Sequence, residues 1–305
     1  MKAAKFLIFW SEVKEIFKKV SDKFDAKWQT RKRVLNTQIL VTFLFKLVQS
    51  HNKQGYGSSL IQFWESCLDK NIILPQTKTV VASSLCEARQ KLPEDVFIEL
   101  NQSLLVLWNK TQDLPSWKGY RIFAIDGSRV SLPRELINEG FIVCSADQGN
   151  YYPQGLMSCL YNIQEKVVYD FSLQAHLNER LSAIEHMQQL GSKDVVVLDR
   201  GYFSYLMLYK IIEQNCHVIF RIPFGSRNNT NNEIMNFIET DQEDSIIDYM
   251  PSTTVMHDLK QDGYNLKFRP LKVRLIKHKI NDTTYIYATT LTDKHIFPKE
   301  CFGRC

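Results

Sequence analysis

Apolar residues recur at helical spacing through the first third of the chain. Val13, Ile16, Phe17, Val20 and Phe24 share one face, with lysines and acids between them, which predicts an amphipathic helix. Residues 34–48 are more apolar, but Asn36, Thr37, Gln38, Thr42 and Lys46 interrupt them. The stretch is too short to span a bilayer and reads as a buried helix. The turn Gln54-Gly55-Tyr56-Gly57-Ser58-Ser59, with a serine N-cap, predicts a helix over residues 60–69, and Pro75 breaks the chain again. Helices over 79–91 and 94–110 follow, the second with Val96, Phe97, Leu100, Leu104, Leu107 and Trp108 on one face. Residues 1–112 are therefore expected to form a helical domain.

After Asp113-Leu114-Pro115-Ser116 the period changes. Strands are predicted over 120–126, 155–164 and 166–175, then a helix over 179–190, a strand over 194–198, a helix over 205–214 and a strand over 216–222. Short links join the early strands and helices join the later ones, so the pattern is mixed α/β with an antiparallel start. The polar run Ser226-Arg227-Asn228-Asn229-Thr230-Asn231-Asn232 opens a third region, 224–292, ending in alternating strands over 266–278 and 284–290. This region is expected to be a β-rich insertion joined by loops.

Two of the core strands carry an acid at their end: Arg121-Ile122-Phe123-Ala124-Ile125-Asp126-Gly127-Ser128 and Asp194-Val195-Val196-Val197-Leu198-Asp199-Arg200-Gly201-Tyr202. Carboxylates on neighbouring strands suit magnesium, which prefers hard oxygen ligands. Two such ions roughly 3.5 to 4 Å apart activate a nucleophile and stabilise a leaving oxygen on phosphorus. The plainer alternative is that each Asp caps a turn before a Gly or a helix.

Composition narrows the class without deciding the function. With 44% hydrophobic and 23% charged residues the 305-residue chain is an ordinary globule, and 38 Lys+Arg against 33 Asp+Glu leave +5, which permits a polyanionic partner. The seven cysteines have no metal-ligand spacing and are expected to be reduced thiols in a cytoplasmic protein. No signal peptide is expected, and Ser128 has no partner His at a telling spacing for a serine hydrolase.

Ile125-Asp126-Gly127-Ser128 with Val197-Leu198-Asp199-Arg200-Gly201-Tyr202 resembles the DDE transposases of bacterial insertion sequences, specifically the IS4-like group. Ser83-Ser84-Leu85-Cys86-Glu87-Ala88-Arg89-Gln90-Lys91-Leu92-Pro93, Asn178-Glu179-Arg180 and Tyr287-Ala288-Thr289-Thr290-Leu291-Thr292-Asp293 extend the resemblance from about Val80 onward. It implies a ribonuclease H-like core, here over residues 116–223, in which Asp126, Asp199 and a later Glu bind two magnesium ions, or manganese, and drive strand cleavage and joining. The implied partners are double-stranded DNA at transposon ends and target, with no membrane. A homodimer is allowed.

The family's Glu sits on a helix after the insertion, in a Tyr, Arg, Glu, Lys pattern that this chain does not contain. Glu300 follows Pro298 too closely to lie inside such a helix. The expectation is of a truncated chain, inactive in strand transfer, with a solvated and frayed tail over 293–305 and apolar surface exposed on residues 195–198. The competing expectation is a catalytically dead remnant that still binds DNA. For phosphate contact the candidates are Arg31, Lys32, Arg33, Arg89 and Lys91 in the helical domain, and Arg200 and Tyr202 beside the second Asp, the tyrosine ring stacking on an extruded base.

Overall fold

The computed structural model describes residues 3–29, 33–49, 55–111, 115–143, 152–222, 232–280 and 283–304. The chain divides into two compact units, 1–113 and 114–305.

The first unit is helical: α1 (Ala3–Trp28), α2 (Thr37–Gln49), α3 (Tyr56–Asp69), α4 (Ala82–Lys91) and α5 (Asp95–Thr111). Val20 and Phe24 of α1 meet Val41, Val96 and Leu100, as their spacing predicts. The Asp25 carboxylate accepts from both the backbone N and the hydroxyl of Thr37, at 2.7 and 2.6 Å, which ties the end of α1 to the start of α2. The expected serine cap of α3 is corrected. The helix begins at Tyr56 with Gly55 at its N-cap, and both serines lie inside it.

The second unit is built on one eight-stranded sheet in the order β3-β2-β1-β4-β5-β8-β7-β6. Its strands are β1 (Arg121–Ser131), β2 (Gln154–Asn162), β3 (Val167–Gln174), β4 (Asp194–Leu198), β5 (His217–Ile222), β6 (Asp244–Tyr249), β7 (Leu271–Ile280) and β8 (Thr283–Thr289). β1, β2 and β3 are antiparallel neighbours, while β4 runs parallel to β1 and β5 parallel to β4. Short links and helical crossovers thus do what the sequence pattern predicts: α6 (Glu179–Met187) precedes β4, and α7 (Tyr205–Glu213) joins β4 to β5. β4 reads as an unbroken apolar run because it is central, with neighbours on both sides and burial on both faces.

Two expectations for the later residues change. The 224–292 stretch is not joined by loops alone: α8 (Asn232–Glu239) and α9 (Thr253–Gln261) lie within it, α8 burying Ile234 and Phe237, α9 capped by the Ser252 hydroxyl. Its last strand, β8, pairs with β5, so β6, β7 and β8 continue the core sheet.

The tail is packed and not frayed. Phe297 and Phe302 are buried in one cluster with Val195, Ile219, Ile276 and Leu291, and residues Lys299–Arg304 form a 3-10 turn. Buried Arg274 anchors this segment, donating from Nη1 to the carbonyls of Phe297 and Leu291 at 2.6 and 3.4 Å. The same guanidinium grips Asp244 with two bonds of 2.9 and 2.7 Å. Val195 is buried in this cluster and Val197 packs against it, so on this face the tail supplies apolar cover that the sequence was not expected to provide, while Val196 and Leu198, buried as well, alternate to the other face.

Candidate functional site

Strand register sets the site. Arg121 pairs with Asp194 and Ala124 with Val197 across β1 and β4. Asp126 and Asp199 each lie two residues further on, level with one another and, by the two-residue alternation of a strand, on one face of the sheet. The register is fixed at the far end of the strands by Arg121, which grips buried Asp194 with bonds of 2.7 and 2.9 Å, its guanidinium over the rings of Phe123 and Tyr169. A slip of one residue would send either acid to the opposite face.

Asp126 does not end its strand, as the sequence reading supposed. β1 runs on to Ser131, paired with β2, while its pairing with β4 stops at Ala124. The acid therefore stands where β1 loses a neighbour, and this places it on the surface. One of its oxygens accepts from the Gly127 backbone N at 2.9 Å. Asp199 follows the last residue of β4 and leads a 3-10 turn over Arg200–Tyr202, without using its side chain as a cap.

The turn after Asp199 is held by α6. Asn178 caps that helix, accepting from the backbone N of Arg180 and Leu181. Arg180 then donates from Nε and Nη2 to the Gly201 carbonyl at 2.9 and 2.8 Å. Glu179, beside it, lies close to Gly127: a Cβ built on that glycine would come 3.2 Å from the Glu179 Cγ and 3.1 Å from Leu156 Cδ1. Asn178-Glu179-Arg180 thus connects both acidic segments. Sequence reading placed it in the resemblance but gave it no role in the site, since its connection to Asp126 and Asp199 is made only in the tertiary fold.

Of the residues predicted beside the second acid, Arg200 is exposed and available to a phosphate. Tyr202 is corrected as a stacking platform. It is 3% exposed, so its ring presents no open face to a base. Burial first, then the carboxylates of Glu179, Asp126 and Asp199, push its phenol far above the usual value, so it stays protonated among the acids. On β5, Arg221 stands one step beyond the last paired residues, Leu198 and Phe220, and stacks on Tyr285 with 5.0 Å from guanidinium to ring centroid. The strand pattern puts this exposed cation on the face of Asp199, a placement visible only once the strands are ordered.

The remaining candidates belong to the helical unit. Arg33 and Lys91 line a cleft of about 470 Å³ with Trp28, Gln76 and Ser84 among its other walls. Arg89 donates to the Tyr56 hydroxyl at 2.7 Å and lies over its ring. Arg31 and Lys32 lie outside the described residues.

Two exposed carboxylates on one sheet face are a donor set of hard oxygens suited to magnesium or manganese. Among the described residues, no group of three or more His, Cys, Asp or Glu is spaced to hold a metal ion. The pair would contribute ligands to an ion whose other positions are filled by water or a substrate oxygen. Among the described residues no helix is long and apolar enough to cross a membrane.

Comparison with known proteins agrees with the geometry. The IS4 insertion-sequence transposase InsG of Escherichia coli (strain K12) is 26% identical over 142 residues, covering 45% of this chain and 32% of that protein. The match therefore spans about a third of the relative's length. Among solved structures, a piggyBac transposase synaptic complex with hairpin DNA overlaps 90% of this chain and 57% of that one, at 11% identity and a TM-score of 0.35. NurA bound to dAMP and manganese overlaps 72% and 89%, at 10% identity and a TM-score of 0.20. Scores this low carry no argument. The model of the transposase DDE domain matches residues 117–300, more than half of the chain and the whole of the eight-stranded sheet, and the chain belongs to that family.

Proposed function

We propose that this chain is the DNA-handling part of an insertion-sequence transposase, with Asp126 and Asp199 as the carboxylates that bind a divalent cation, magnesium or manganese. The observation that carries the reading is the alignment of these two acids on one sheet face in a chain of this family. When bound, the cation would polarise a phosphodiester and lower the pKa of an attacking water or hydroxyl. Arg200 and Arg221 would hold phosphate oxygens near it, Arg200 at the turn and Arg221 on the adjoining strand. Arg180 keeps the Asp199 turn in place. The helical unit would grip duplex DNA with Arg33, Arg89 and Lys91, to which Arg31 and Lys32 add charge.

Cleavage and strand transfer by two ions require a further fixed carboxylate beyond this pair. The 305-residue chain acting alone is therefore expected to retain DNA without joining strands, the behaviour of a DNA-binding remnant. The test is incubation with Mg2+ and a labelled duplex carrying the ends of its own element. The expected result is a retarded complex and no joined product. Magnesium-dependent joining would overturn the inactivity, and failure to retain any duplex would overturn the DNA-binding assignment.

A further inference from the structure

Behind Asp126, on the α6 side of the sheet, lies a cluster of polar side chains that the proposed chemistry does not use. Ser158 of β2 is the cross-strand neighbour of Gly127 on one side and of Ser172 on the other. His186, in the last turn of α6, brings Nε2 within 3.1 Å of the Ser158 hydroxyl and Nδ1 within 2.7 Å of the Asp170 carboxylate. The Ser158 hydroxyl in turn lies 3.5 Å from the backbone carbonyl of Asp126. Two further buried hydroxyls of these elements, Ser172 and Ser182, have no hydrogen-bond partner among the described residues. Polar groups are costly in a helix-on-sheet interface, where alanine or valine would pack without loss.

Aspartate, histidine and serine in this order have the distances of a hydrolytic triad. Burial decides against that use: Ser158 and His186 are each 1% exposed, so no substrate carbonyl reaches the hydroxyl. What the chain of contacts does reach is the peptide of Asp126. The Asp170 carboxylate, whose side chain is 34% exposed, accepts the Nδ1 proton and fixes the ring. The Ser158 hydroxyl has a single proton, and with that proton on the Asp126 carbonyl the His186 Nε2 is the donor to Ser158 Oγ, which holds the hydroxyl against the strand at the point where β1 leaves β4.

We propose that Asp170, His186 and Ser158 are positioning residues for Asp126, a buried relay that fixes the peptide of this carboxylate in the geometry needed to bind a cation. The inference rests on Asp126 being a metal ligand, as proposed above. Partners behind a ligand typically change metal affinity by about 10- to 100-fold when removed. The 3.5 Å contact places this relay at the lower end.

The test is titration of the 305-residue protein with Mn2+, followed by the electron paramagnetic resonance signal of the free ion, with near-ultraviolet circular dichroism checking that each variant is folded. Ser158→Ala and His186→Asn, which keeps the Asp170 contact and drops the one to Ser158, are expected to weaken Mn2+ binding about tenfold. His186→Gln retains a polar atom near the Nε2 position and is expected to restore most of the affinity. If Asp126→Asn abolishes binding while Ser158→Ala and His186→Asn bind as the parent does, the relay is overturned. If Asp126→Asn leaves binding unchanged, the metal-ligand reading itself fails. A variant that loses stability but keeps its affinity when folded would mark the cluster as merely structural and would also overturn the proposal.

Discussion

Replacing Phe302 by alanine tests whether the last residues are part of the folded unit. The side chain is 1% exposed, its ring lies 5.9 Å from that of Trp117 in an edge contact, and the Arg274 guanidinium stands 5.5 Å from its centroid. Truncating a fully buried Phe costs about 3 to 5 kcal/mol in lost transfer energy and residual cavity. The aromatic pair accounts for about 1 kcal/mol of that. With a urea dependence near 3 kcal/mol per molar for a unit of this size, the midpoint should fall by about 1 to 2 M. Trp117 is the one tryptophan beyond residue 113, so 5-fluorotryptophan incorporation gives a fluorine resonance that follows this unit alone. A shift within about 0.5 kcal/mol, the range of ordinary surface substitutions, would refute the packed tail and restore the frayed one.

Acidification should release the same segment. Arg274 and Lys294 outweigh the opposing effect of burial and hold the Asp244 carboxyl below its ordinary value, Lys299 lowers Glu243, and the backbone N of Ile296 and His295 lower Asp293. Each carboxyl titrates lower in the fold than in the unfolded chain, so its contribution is complete above about pH 4 and is lost as pH falls through the folded value. Amide exchange over 293–304 should therefore accelerate below that pH before the central strands open, and simultaneous opening would contradict the reading. Gly127→Ala should cost about 1 kcal/mol, since the added Cβ meets only side-chain atoms that give way, Leu156 Cδ1 and Glu179 Cγ. A thermal melt checks the cost, and a loss above about 3 kcal/mol would show that the site cannot relax as its geometry implies.

Much of the architecture was legible because local patterns and tertiary packing agree. The apolar run of β4 flanked by helices, and Val20 and Phe24 at helical spacing, could be read directly. So could the position of Asp199 directly after the apolar run of β4. The helices α8 and α9 were missed because they are short and lie in a polar stretch, each burying one or two side chains. The continuation of β1 past Asp126 was missed because Asp-Gly is a strong turn signal locally, and only pairing with β2 overrides it. The tail was misread for a related reason. Phe297 and Phe302 acquire meaning only when β4, β5 and β7 present Val195, Ile219 and Ile276 together. Partners far apart in sequence, such as Arg180 with Gly201 or His186 with Ser158 and Asp170, leave no local signature.

The central claim is that Asp126 and Asp199 together hold a divalent cation. Ferrous iron bound in place of magnesium, with ascorbate and peroxide, cuts the backbone beside its own ligands. The account predicts fragments ending near residues 126 and 199, suppressed by excess Mg2+ and absent in Asp126→Asn. Cleavage at other positions, or cleavage at these that persists in Asp126→Asn, would contradict it.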